Sequence, residues 1–130
     1  MLNRARLPKA NLGDADLHRA FLMESDFYGA NLVRACFEGA ILRNTNFHGC
    51  DLRFARIDGA DLFAADLSCA DLRHASLAAA FLKCADLRGA DLSTTRGLNA
   101  DQIAGALGDE DTRLPDDLPR PARWNERRSH

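Results

Sequence analysis

Four cysteines, four histidines and 19 acidic side chains are the groups in this 130-residue sequence that could build a metal site, a nucleophile or an acid–base pair. The thiols, Cys36, Cys50, Cys69 and Cys84, stand 14, 19 and 15 residues apart with no CxxC pair among them. That spacing builds neither a structural zinc site nor a thioredoxin-type redox pair. It reads as reduced thiols in a cytoplasmic protein. His18, His48, His74 and His130 are scattered singly, and lone histidines are surface residues more often than ligands. Asp51, Asp71 and Asp91 recur at equal spacing, and such a ladder looks like the paired carboxylates of general acid–base catalysis. Arg53 and Arg73 follow two residues behind two of these acids, so neutralised surface pairs are expected instead. No Gly-rich phosphate loop is present. The expectation is a protein without catalytic residues, metal or cofactor.

The elements that must carry these groups follow a clock of five. Stepping from Leu2 one meets Leu7, Leu12, Leu17, Leu22, Phe27, Leu32, Phe37, Leu42, Phe47, Leu52, Ile57, Leu62, Leu67, Leu72, Leu77, Leu82, Leu87 and Leu92. Every one is large and apolar. Two residues before each centre, from Ala5 to Ala90, 15 of 18 positions are Ala, the others being Ser25, Thr45 and Cys50. Between the two registers Asp or Asn fills 11 of 18 positions, so the consensus is Ala-(Asp/Asn)-Leu-x-x. The acids are therefore part of the repeat, and repetition alone explains their ladder. Cys36 is the single thiol in that register, with nothing beside it in sequence to mark a nucleophile.

The 22 Ala and 19 Leu would suit a helical bundle, but period five fits no regular element. In an α-helix, successive centres would spread around the cylinder, about 140° apart. In a flat strand they would alternate between faces. Keeping every centre inside requires a corner once per pentad. Ala and Leu, two apart, point to one side of an extended segment, and the remaining two residues make the bend. The path is a coil around a narrow, Leu-filled axis.

These Ala-(Asp/Asn)-Leu-x-x arrays closely resemble the pentapeptide-repeat family over Leu2 to about Thr95. The resemblance implies an all-β fold, a right-handed quadrilateral β-helix with four pentads per coil. Residues 1–95 would then form about 4.75 coils and a rod about 23 Å long. Phe27 and Phe47, one coil apart, are expected to stack in the core, with Phe37 entering from the opposite side.

After Leu92 the clock stops. Leu98, Asn99, Gln102, Ile103 and Leu107 read as a short capping helix over about 99–107, with Asn99 and Gln102 as a capping box. Gly108 would stop it. Ile103 and Leu107 would share one face and close the last coil, because solenoid ends need covering. Residues 96–130 thus form a cap and a Pro-containing tail, with Leu114, Leu118 and Trp124 as anchors. The stretch GDEDTRLPDDLPRPARW resembles a C-terminal extension often attached to bacterial pentapeptide-repeat proteins. Residues 125–130 are expected to fray. Leu2 opens the first pentad with no cap before it, and an end-to-end homodimer through that coil is one expectation. No stretch approaches a membrane span, and no secretory signal opens the chain.

Formal charge narrows the function classes. A net of −2 is not that of a basic nucleic-acid binder. The family's best-known activity, implied by the resemblance, is mimicry of DNA at a type II topoisomerase such as gyrase. DNA of the rod's length carries about 13 or 14 negative charges, whereas residues 1–95 hold 12 acidic and 11 basic side chains. The balance disfavours mimicry, which stays as the alternative. More distinctive is the alignment of pentads by coil. Met1, Phe21, Ile41, Asp61 and Phe81 precede the centres of one face, and Asn3, Met23, Arg43, Phe63 and Lys83 follow them. With the family's geometry, Phe21, Met23, Ile41, Phe63 and Phe81 form an outward apolar stripe. Such a stripe marks a surface for a protein partner or self-association, or a dock for the tail.

Overall fold

The computed structural model describes residues 2–125; Met1, which heads the column before Phe21, and most of the segment expected to fray lie outside the described residues. The chain is extended through the Ala, Asp/Asn and Leu registers of each pentad and then reverses in a β-turn. Ala35 N donates to Leu32 O at 3.0 Å, and Ala65 N to Leu62 O at 3.0 Å. The second central residue of each turn, from Arg4 to Gly89, lies in the left-handed region, with φ between 56° and 70°. This is the signature of a type II turn. Residues such as Ala64, Cys69 and Ala79 accept that conformation where glycine would take it freely; each costs about 1 kcal/mol.

Four such corners close a coil, and coils stack in parallel register. Asp26 bridges Asn46, Ile41 bridges Asp61, and Asp66 bridges Asp86, each pair one coil apart. Leu22 N donates to Ile41 O at 2.9 Å, and Asn46 N to Ser25 O at 2.8 Å. The result is the right-handed β-helix. We number its faces by their centres: face 1 carries Leu22, Leu42, Leu62 and Leu82, face 2 begins its second coil at Phe27, face 3 at Leu32, and face 4 at Phe37. The centres from Leu22 to Leu92 are at most 2% exposed. Phe27 and Phe47 stack at 5.4 Å, with Phe37 edge-on to both at 6.3 and 5.6 Å. Where Ala is replaced, the polar atom is satisfied inward. Thr45 Oγ1 donates to Leu22 O at 2.7 Å, and Cys50 Sγ to Phe27 O at 2.9 Å.

The Asp/Asn register has a local task. Its carboxylate or amide oxygen accepts the backbone N–H two residues on, as from Tyr28 to Asp26 at 2.9 Å, Val33 to Asn31 at 3.0 Å and Ser68 to Asp66 at 2.9 Å. These are Asx turns, which hold the corner's outward-facing amide. Where Phe21 occupies the register, Asn3 Oδ1 of the coil below accepts from Met23 N instead.

The backbone ladder runs past residue 95 into sequence without the clock. Ser76 bridges Arg96, Asp86 bridges Leu107, and Asp91 bridges Arg113. Helix α1 (Ala100–Ala104) covers face 1 as a sixth, incomplete layer, and its Asn99–Gln102 capping box is formed. Ile103 is buried on the core, and Leu98 packs against it partly exposed. The helix ends at Gly105, short of the 99–107 expected. Leu107 N donates to Ala85 O at 2.8 Å, and Leu107 O accepts from Leu87 N at 2.7 Å. That pairing pulls Leu107 into the ladder and turns its side chain outward, 51% exposed, so it shares no helix face with Ile103. Ala106 and Thr112 then fill the small-residue register, with Thr112 Oγ1 donating to Leu87 O at 2.8 Å.

Candidate functional site

Among the described residues, face 1 is the face whose outward columns are built largely from big apolar residues. Its strand bridges seat Phe21 under Ile41, Ile41 under Asp61, and Asp61 under Phe81. Phe21 and Phe81 stand 48% and 46% exposed, while Met23, Ile41 and Phe63 are partly buried by their neighbours. The stripe is divided. Arg43 lies with its guanidinium 5.3 Å from the Phe63 ring centre and its Nε 2.6 Å from Asp61 Oδ2. Below that ion pair lie Phe21, Met23 and Ile41; above it Phe63 and Phe81 stack at 6.4 Å. An apolar surface with one partly exposed Arg–Asp pair in its middle suits contact with protein, since covering it needs a partner that tolerates polarity at one point.

Among the described residues the tail does not cover this face. Leu114 and Leu118 pack against the core at the C-terminal end, and Trp124, 2% exposed within a 3-10 turn (Ala122–Asn125), donates from Nε1 to Ala106 O at 3.3 Å. A Cβ at Gly108 would lie 2.3 Å from the indole, so glycine is what admits the ring. Two arginines complete the closure. Arg120 donates to Asp109 O and Thr112 O, both at 2.7 Å, and Arg123 donates to Ala104 O at 2.5 Å and Ala106 O at 2.6 Å. Neither arginine was singled out by the sequence, because both lie outside the five-residue register.

The other faces are polar surfaces already engaged with themselves. On face 3, Arg53 holds Asp51 through two bonds of 2.8 Å, and Arg73 holds Asp71 at 2.9 and 2.7 Å. Those guanidinium bonds keep both carboxyls below the usual carboxylate range. On face 2, burial works against ionisation of Asp86, but Arg88 outweighs it and the carboxyl is lowered. An acid–base pair needs one carboxyl raised to hold a proton near neutrality; these are all pushed the other way. Tyr28 and Phe54 are exposed, yet each stacks on a histidine, His48 at 5.4 Å and His74 at 4.8 Å.

Face 4 carries an open groove of about 600 Å³ lined by Asp16, His18, Cys36, Glu38, Arg56 and Asp58. Within it His18 Nδ1 lies 2.7 Å from Asp16 Oδ1, and Arg56 pairs with Glu38 at 3.4 Å. Burial pushes the Cys50 thiol up to about 11, which keeps it protonated. Among the described residues no group of three or more His, Cys, Asp or Glu is placed to hold a metal ion, and no helix is long and apolar enough to cross a membrane.

The family model for pentapeptide repeats matches residues 5–44, 37–68 and 55–93, in eight copies. Among solved structures, a pentapeptide-repeat protein of the Arabidopsis thaliana thylakoid lumen is 27% identical, with a TM-score of 0.77 over 82% of this chain and 77% of its own. Rfr23, a pentapeptide-repeat protein from the cyanobacterium Cyanothece 51142, is 29% identical, with a TM-score of 0.60 over 87% of this chain and 86% of its own. Trypsin-treated QnrB1, a plasmid-mediated fluoroquinolone resistance protein, shares the fold at 22% identity and a TM-score of 0.64, over 73% of this chain and 47% of its own. No curated protein matches the sequence.

Proposed function

The chain belongs to the pentapeptide-repeat family, and from that premise we propose that it is a non-enzymatic scaffold that binds protein through face 1. The observation that supports this most is that Phe21 and Phe81 remain half exposed on the apolar face while the tail, among the described residues, packs elsewhere. Phe54 is as exposed but stacks on His74, whereas Phe21 and Phe81 share one face with Met23, Ile41 and Phe63, and exposed apolar patches of this kind mark contact surfaces. The backbone of the face is consumed by its own coils, as in Ile41 N to Ala20 O at 2.9 Å. Binding must therefore come from side chains, not from adding a strand.

Mimicry of DNA at a topoisomerase is the weaker reading. It needs uncompensated carboxylates, and Asp51, Asp71 and Asp86 each carry an arginine. The two readings differ in their response to salt, because an apolar contact hardly changes where a charge contact weakens steeply. A photoreactive side chain in place of Phe21 or Phe81 is expected to crosslink to protein equally at about 0.1 M and about 1 M salt. The same group in place of Val33 on face 3 serves as the control. No adduct above that control, or one that vanishes at high salt, overturns the proposal.

A further inference from the structure

Resting on that reading, we infer that the partner of face 1 is a second copy of this chain, packed side by side with its rod antiparallel. The face is self-complementary about its middle. Phe21 and Phe81 stand in one column and are the face's two most exposed aromatic rings. They are three coils apart, with Ile41 and Asp61 between them. A twofold axis across the face, between the coils of Arg43 and Asp61, sets Phe21 against Phe81 of the second copy, twice. In the second column it sets Arg43 against Phe63 of the second copy, a contact that Arg43 already makes at 5.3 Å within its own chain. The two Arg43–Asp61 pairs then lie side by side at the centre, each able to serve both copies.

Charge agrees with that register. Glu24 sits at the corner beside Met23, and Lys83 beside the centre Leu82, three coils further along. At about 4.8 Å per coil the two are about 14 Å apart within one chain, too far to pair. In the antiparallel dimer Lys83 of the second copy lies over Met23, next to Glu24 at the corner. Glu24 has only a loose contact with Arg4 at 3.8 Å, between side chains 56% and 78% exposed, to give up. The parallel arrangement sets Phe21 against Met23 and Phe81 against Lys83 of the second copy, so it separates the two phenylalanines and brings Glu24 no nearer to Lys83. An end-to-end contact through Leu2 and Leu7 would leave both phenylalanines in water.

Face 1 is about 20 Å tall and one short strand wide, a small surface beside those of stable complexes, so weak self-association, micromolar at best, is expected. Sedimentation of the full chain from about 5 to about 500 µM tests this. The expected result is a concentration-dependent dimer that Phe81→Asp weakens at least tenfold. Glu24→Lys and Lys83→Glu should each weaken self-association, and mixing the two variants should restore the dimer, since both interfacial pairs are then complementary again. Small-angle scattering should show a particle thicker than the monomer and hardly longer. A chain that stays monomeric throughout, a dimer twice the length, or a mixture no tighter than its parts overturns the inference. If the chain is monomeric while the probe at Phe21 still crosslinks to another protein, the second copy is excluded and the scaffold reading survives. If that probe also captures nothing, both fall.

Discussion

The first and last coils of the rod are made of the same repeat, and they differ in what lies over them. At the C-terminal end the layer above Leu82, Leu87 and Leu92 is supplied by Ile103, Ala106, Thr112 and Leu114, and Trp124 seals its side. At the N-terminal end Leu2 and Leu7 are 53% and 36% exposed. There, among the described residues, the amides of Arg6, Asn11 and Asp16 donate to no backbone carbonyl. The difference teaches that a β-solenoid does not close itself. Each pentad satisfies half its backbone and half its core against the coil above or below, so an end must be completed by sequence that breaks the repeat.

The largest break in that comparison is expected from Trp124→Ala. Removing a fully buried indole costs about 3–5 kcal/mol, which chemical or thermal unfolding will read directly. Leu7→Ala, in the first coil, should cost less, about 1–2 kcal/mol, because Leu7 keeps 36% of its surface in water. If the two variants lose equal stability, the open end is covered in solution, as an end-to-end dimer would cover it. A smaller effect tests what holds α1 in place. Asn99→Ala removes the side chain that accepts from Gln102 N at 2.9 Å, at an expected cost of about 1 kcal/mol. Faster amide exchange of Ile103 and Ala106 should accompany it, with no change in the first two coils.

The smallest effect concerns acid. Asp51 and Asp71 in the middle, and Asp86 near the cap, have carboxyls lowered below their ordinary values. Their contribution is present above the ordinary carboxylate range and is lost as pH falls through the lowered values. Stability should therefore decline slightly below about pH 4, slightly because these pairs are partly exposed and screened. The gap between Trp124→Ala and Leu7→Ala should persist at that pH, because it rests on apolar burial. A gap that closes would mean that ion pairs, not the cap, separate the ends.

Much of this molecule was legible in the order of its residues. Period five with Leu at the centre fixes a corner every pentad, and the phenylalanines that stack in the core are those spaced one coil apart. The outward columns of face 1 could also be assembled from the register alone. Its division by Arg43 and Asp61 could not, because that depends on a side chain reaching from one coil to the carboxylate of the next. Asp and Asn were visible as a register but not as Asx turns, since the amide they hold is defined only once the corner is bent. The extent of α1 was misjudged for a related reason. Residues 105–107 have a helical pattern, and the edge offered by Ala85 and Leu87 draws them out of it.

The sequence by itself determined the coil, because each pentad carries its own turn and its own inward pair, and identical local rules add up without long-range information. The tertiary structure decided which surfaces stay bare. Whether Phe21 and Phe81 meet water, and whether Leu7 does, depends on where the aperiodic tail finds its lowest free energy. That place is the open edge of the last coil, where unpaired backbone and half-buried leucines together offer more than a flat, hydrogen-bonded face.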